Sequence, residues 1–220
     1  MGLSRAHPDT RDGDQATGIE GGMKLYYSPG ACSLHPHITL REAGIPFELE
    51  RVDLRSHRVH DGTDYYTVNP KGYVPALRLD DGSVLTEGAV IDQYLADQRP
   101  DKKLIPAAGT IERYHVQEWL NFIASEIHKT FGPLFGKDEA AKEAPRARLA
   151  KRFDYVQESL GSRPYLTGDT FTVADAYLFN MLRWTAFTGV DLGKWPGLKS
   201  FFDRVEQRPA VQAALAAEKG

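Results

Sequence analysis

The chain has 220 residues, 41% of them hydrophobic, enough to bury a core as one large domain or two modest ones. Its 27 basic and 30 acidic side chains leave a net charge of -3, too balanced for nucleic acid or an anionic membrane surface to be the main partner. The one cysteine excludes an internal disulfide framework and fits a reducing, cytoplasmic compartment. No apolar run approaches the roughly 20 residues that a transmembrane helix needs.

Residues 1–22 are rich in Gly, Asp, Thr and Arg and lack an apolar stretch that would serve as a signal peptide. They read as a disordered extension, with the folded part beginning at Met23. Leu25-Tyr26-Tyr27 is short, aromatic and apolar, as a buried strand should be, and Ser28-Pro29-Gly30 breaks it with turn chemistry. A helix follows from Ser33, with Leu34, Ile38 and Arg41 at helical spacing, Pro36 in the first turn and Gly44 as a left-handed cap. Residues 47–54 read as a second strand, 55–64 as a polar loop and 64–68 as one helical turn. Strands over 76–79 and 84–85 are joined at Asp81-Gly82, a hairpin signal. Thr86 is placed as the cap of a helix over 89–97, whose apolar stripe is Val90, Ile91, Tyr94 and Leu95.

From Ile111 onward the pattern is helical throughout, which puts a domain boundary within 100–108. A long amphipathic helix is expected over 111–131, closed by Pro133, and another from Pro145 to Leu160. Thr172-Val173-Ala174-Asp175 resembles a capping box ahead of a helix carrying Tyr177, Leu178, Met181, Leu182 and Trp184. A last helix is expected over 198–207, stopping before Pro209.

Several positions carry chemistry. Cys32 lies just past a turn at the start of a helix, where backbone N–H groups and the helix dipole favour a thiolate. It is either a small apolar filler or a thiol facing a site; a dithiol pair is excluded for want of a second cysteine. Val74-Pro75, directly before a strand, is either a plain trans start or a cis bond that turns the Val74 backbone outward toward an extended peptide. Glu87 and Gly88 suit the ammonium and carboxylate of an amino-acid zwitterion, or else Glu87 only stabilises its own helix. A glycine there costs about 1 kcal/mol relative to alanine, which points to close backbone approach. Asn121, Ser125 and His128 recur at i, i+4 and i+7 beside apolar Val116, Leu120, Ile123 and Ile127, as a solvated face or a site-facing stripe. His35, His37, His57 and His60 lack companion ligands, so they read as surface residues rather than a metal site. Asp175 reads as a structural acid at a helix start.

Together these residues resemble a bacterial beta-class cytosolic glutathione S-transferase over residues 23–217. The resemblance rests on MKLYYSPGACSLHPHI, NPKGYVPAL, LTEGAVIDQYLAD, ERYHVQEWLNFIASEIHK and FTVADAYLF, in that order and spacing. It implies an α/β plus all-α chain: a thioredoxin-like, glutathione-binding N-terminal domain over 23–102, then an all-helical C-terminal domain over 109–220, assembled as a homodimer. Glutathione is the implied co-substrate and a small hydrophobic electrophile the second substrate, with no metal and no further cofactor.

The resemblance also implies roles. Cys32 and His128 are the implied catalytic residues, Cys32 beside the glutathione sulfur, where it holds a mixed disulfide, and His128 near the thiol with Lys129. The Val74 backbone pairs with the cysteinyl part, and Glu87 and Gly88 grip the γ-glutamyl end. Asn121, Ser125, Glu126, Ile127 and His128 reach the ligand from the second domain. His57 stands where relatives carry a lysine for the glycyl carboxylate, and Tyr73 where glutamine is common. Thiol-transferase or peroxidase activity fits the same residues; the alternative is a non-catalytic ligand-binding protein of the same fold.

Overall fold

The computed structural model describes residues 22–219. The expected disordered extension over residues 1–22 therefore lies, Gly22 apart, outside the described residues. The first half comprises β1 (Met23–Tyr27), α1 (Leu34–Ala43), β2 (Phe47–Asp53), β3 (Arg58–Val59), β4 (Ala76–Arg78), β5 (Val84–Thr86) and α2 (Gly88–Asp97). The strands form one sheet in the order β3-β2-β1-β4-β5. β1 and β2 run parallel, and every other neighbouring pair is antiparallel. A parallel pair needs a crossover, which α1 supplies before Gly44, at φ 64, turns the chain back toward β2.

Three expectations need correction here. β3 falls inside the stretch read as loop, because Val52 and Asp53 pair with Val59 and Arg58. Thr86 is the last residue of β5 rather than a helix cap; Glu87 holds that position at φ 68, without a side-chain capping bond. On α2 the buried residues are Ile91, Asp92, Leu95 and Ala96, whereas Val90 is exposed. The helix is rotated from its predicted stripe because α1 offers Asp92 hydrogen-bond partners.

The second half is helical: α3 (Ile111–Phe122), a π-helical turn (Ile123–His128), α4 (Lys129–Phe131), α5 (Glu143–Leu160), α6 (Val173–Arg183), α7 (Thr185–Thr188), α8 (Pro196–Glu206) and α9 (Pro209–Ala217). The helix expected over 111–131 is thus continuous but widened at 123–128. The capping box before α6 is present, with Asp175 fully buried and accepting from Leu166 N, Thr172 N and Thr172 Oγ1. Burial pushes the Asp175 carboxyl up to about 6 despite those donors. α9 was not expected, because Pro209 reads as a terminator. It occupies the first position of α9 instead, where a missing N–H is tolerated.

One apolar core runs through both halves. Leu34, Ile38 and Ala43 of α1 and Ala96 of α2 pack into the same cluster as Val116, Ile127, Phe153, Leu178 and Phe201. On the other side of α1, Leu40 joins Leu25, Leu77, Ile91 and Leu95 above the sheet. Two ion pairs tie the halves at their edges. Arg208 grips Glu42 through bonds of 2.6 and 2.9 Å, and Arg113 grips Asp97 through bonds of 2.7 and 2.8 Å.

Candidate active site

A cavity of about 580 Å³ opens where the turn after β1, the Val74-Pro75 segment and the start of α2 meet the π-helical turn and α6. The Val74-Pro75 bond is cis. The turn that carries Cys32 is held by the helical half. Trp184 Nε1 donates to Gly30 O at 2.9 Å, and Asn180 Nδ2 donates to Ala31 O at 3.3 Å and Cys32 O at 3.0 Å. Glu218 Oε2 accepts from Gly30 N at 3.2 Å. Four contacts from distant sequence thus fix a turn that its own Ser-Pro-Gly chemistry only permits.

Cys32 Sγ donates to Val74 O at 3.2 Å. Burial pushes the thiol up to about 12, helped by the Glu87 carboxylate, while the Cys32 and Ser33 amides and Lys129 oppose it. The expected thiolate is therefore corrected to a thiol, because desolvation outweighs the helix terminus.

Lining the same cavity as Cys32, His128 sits with its Nδ1 2.7 Å from the Tyr177 hydroxyl and its ring edge-on to Trp184 at 4.9 Å. Burial holds its pKa down at about 4, with His35 and Lys129 adding to the effect, so the imidazole is neutral near pH 7. Tyr177 is pushed well above the ordinary phenol range by burial and keeps its proton. Glu87 and Gly88 lie on the rim, where Lys71 Nζ contacts Glu87 Oε1 at 2.6 Å. Under Gly88, His35 Nδ1 lies 2.6 Å from Asp92 Oδ2 and the ring stacks on Tyr177 at 3.9 Å. The close approach to Gly88 is thus made by this chain's own His35. Among the described residues no cluster of side chains suits a metal ion. A separate cavity of about 670 Å³, bordered by His115, Trp119 and Arg163, contains none of the expected site residues.

Comparison with known proteins gives a consistent answer. The family "Glutathione S-transferase, N-terminal domain" matches residues 30–98, and "Glutathione S-transferase, C-terminal domain" matches residues 108–209. Glutathione S-transferase GstA of Escherichia coli O157:H7 is 52% identical over 198 residues, spanning 89% of this chain and 98% of that protein. The chain belongs to the glutathione S-transferase family. A ternary complex of BphK, a bacterial transferase of the family, superposes with a TM-score of 0.88 at 56% identity, covering 90% of this chain and all of the other. The bacterial beta-class transferase of Sphingomonas chungbukensis superposes with a TM-score of 0.86 at 47% identity, covering 89% of this chain and 98% of that one. The thioredoxin-like sheet followed by helices is the family's fold. Among the described residues no helix of the transferase is long and apolar enough to cross a membrane.

Of the transferase's expected site residues, Cys32, Val74, Glu87, Gly88 and His128 line one cavity, with Lys129 beside them. The others are elsewhere in this chain. Asn121 and Ser125 are exposed and do not line the cavity, and Ser125 Oγ donates to Asn121 O. Glu126 pairs with Arg152, and Ile127 is fully buried in the core. The stripe splits because the π-helical turn carries more residues per revolution than the α-helical spacing assumed. His57, at φ 51, packs its ring on Tyr66 at 4.7 Å and does not reach the cavity.

Sequence reading placed His35 and His37 on the surface, and both are buried: His35 pairs with Asp92, and His37 with Glu218 at 3.0 Å. It also assigned no site role to Asp92, Tyr177 or Trp184. One signal was available: Asp92 is a lone acid inside an apolar helix stripe, matched by His35 and Thr39 one turn apart on α1.

Proposed function

We propose that this transferase activates the thiol of glutathione for attack on a small hydrophobic electrophile, and that it works as a homodimer. The observation that carries the reading is the convergence of Cys32, Val74, Glu87, Gly88 and His128, from four separate segments, on one cavity. Glutathione would lie extended along Val74, with its γ-glutamyl end at Glu87 and Gly88 and its sulfur between Cys32 and His128.

A thiol of ordinary pKa ~8.5 is only a few per cent ionised at neutral pH, and making it mostly thiolate takes about 2.7 kcal/mol. A helix terminus supplies only about 0.3–1 kcal/mol. One or two donors to the charged sulfur, at about 1.5–3 kcal/mol each, close the difference. The neutral His128 ring is one such donor, the Cys32 thiol becomes the other when its single proton turns from Val74 O to the sulfur, and Lys129 adds charge nearby. With a pKa of about 4, His128 does not keep the departing proton at neutral pH, so the proton passes to solvent. The thiolate then forms a bond to the electrophilic carbon, and the leaving group departs with its electron pair. Phe135, Trp184, Tyr73 and Leu54 form the apolar wall for that substrate.

Cys32 held as a thiol suits hydrogen-bond donation better than attack, which favours conjugation over thiol transfer as the main activity. The exposed Ile111 and Tyr114 of α3, with exposed Asn121 on the same helix, support a dimer through this surface.

Calorimetry with millimolar glutathione tests binding, and absence of uptake overturns the reading. Turnover of an aryl halide tests the chemistry. In the pH–rate profile, His128→Ala should raise the apparent pKa of the thiol by roughly one to two units, the equivalent of one lost donor. Sedimentation of the full chain tests the dimer, and a monomer at micromolar concentration removes that part.

A further inference from the structure

Behind His128 lies a chain of buried groups that the reaction as described leaves unused. Asp92, fully buried, faces His35 Nδ1 at 2.6 Å through one oxygen and accepts from Thr39 Oγ1 at 2.8 Å through the other. A carboxylate in that setting only accepts, so His35 carries its proton on Nδ1. The His35 ring is stacked on Tyr177 with centroids 3.9 Å apart and planes 20° apart. The other end of Tyr177, its hydroxyl, meets His128 Nδ1 at 2.7 Å. A phenol is a stronger donor than an imidazole N–H, so the hydrogen bond runs from Tyr177 to a bare Nδ1, and the ring proton of His128 sits on Nε2.

We propose that the Asp92–His35 pair is a positioning device for His128: clamped by Thr39 and Gly88 and stacked on Tyr177, it aims the phenol at Nδ1 so that Nε2–H is presented to the sulfur. This rests on the reading that the glutathione sulfur lies between Cys32 and His128.

The geometry supports a device rather than filler. His35 is 1% exposed and packs so close to Gly88 that a Cβ there would meet its Cε1 at 2.5 Å and its Nε2 at 2.6 Å. The ring therefore holds one orientation, set by the carboxylate behind it. Burying a carboxylate is costly unless it is hydrogen-bonded, and apolar side chains would fill this space without that cost. The pair also stands at a mechanical centre, for His35 lies one turn after Cys32 on α1 and its amide donates to Cys32 O at 3.4 Å. The nucleophile's two flanking groups, Cys32 and His128, are thereby referred to the same buried pair.

The test uses the full chain with histidine labelled by nitrogen-15, the His128 signals being assigned by their loss in His128→Gln. Long-range proton–nitrogen spectra should show His128 as the Nε2–H tautomer in the wild type. In Asp92→Asn, His35→Gln and Tyr177→Phe the tautomers should mix. For each variant kcat with an aryl halide should fall roughly tenfold, the rate equivalent of one hydrogen bond, while KM for glutathione stays within about twofold. If Asp92→Asn fails to fold, Thr39→Val, which removes one donor from Asp92, should move the tautomer in the same direction. An Nδ1–H tautomer in the wild type overturns the proposal, and so does a tautomer indifferent to Asp92 and His35. Failure of the glutathione reading is separate and visible in calorimetry, because the tautomer is read without any ligand.

Discussion

A methyl group on Gly88 would lie 2.5 Å from Cε1 of His35 and 3.4 Å from Cγ of Pro75. The glycine is therefore required by a neighbour inside the fold, and its cost to the helix is the price of seating an imidazole. Gly88→Ala is expected to destabilise the protein by about 1–3 kcal/mol, as overpacking of a tight site does. In a His35→Ala background the same change should cost much less. Urea unfolding of the four proteins in the cycle measures the coupling; simple additivity would show that His35 is not what Gly88 accommodates.

Glu218 joins two distant groups, the Gly30 amide at 3.2 Å and the buried His37 Nδ1 at 3.0 Å. Glu218→Ala leaves both without this partner and is expected to cost about 1–3 kcal/mol in urea unfolding. Because Gly30 belongs to the turn that carries Cys32, kcat should fall as well. A variant with wild-type stability and turnover would remove Glu218 from this role.

Two buried groups make stability depend on acid in opposite senses. His128 is depressed from 6.5 to about 4, so its contribution is present above pH 6.5 and is lost as pH falls toward 4, by up to about 3 kcal/mol. Asp175 is raised from 3.8 to about 6, so its contribution is present below pH 3.8 and is lost as pH rises toward 6. His128→Gln should therefore be less acid-sensitive than the wild type between pH 6.5 and 4, and Asp175→Asn should be more acid-sensitive than the wild type. Urea midpoints measured across that window give the slopes, and parallel slopes for all three proteins would contradict both assignments.

A thiol held up at about 12 alkylates slowly. At about pH 8, Cys32 is expected to react with iodoacetamide at least about a hundredfold more slowly than free cysteine. Glu87→Gln should speed the reaction, since that carboxylate helps keep the proton on sulfur. Rapid alkylation in the wild type would show that the helix terminus, and not burial, governs the sulfur.

Where one element speaks for itself, the sequence was readable. Gly44, the Asp81-Gly82 hairpin and the Thr172–Asp175 capping box each declare a local geometry that tertiary packing has no reason to override. The residues misjudged are those whose meaning lies in a partner far along the chain. Asp92 and His35 are 57 positions apart, and His37 and Glu218 are 181 apart, so the residues beside either histidine do not by themselves mark it as buried. Pro209 misled for a related reason: the rule that proline ends helices is also the rule that it begins them. The stripe at Asn121, Ser125 and His128 presumes a regular period, and the backbone widens in the middle of it.

The bond from Glu218 to Gly30 spans 188 positions. During synthesis the sheet and α1 leave the ribosome long before Glu218 does, so the loop bearing Cys32 is made early yet lacks one of its anchors until Glu218 has also been made. A nascent chain of this protein therefore cannot complete that loop by folding its first half alone, and maturation of the loop waits on α9 and the Glu218 that caps it.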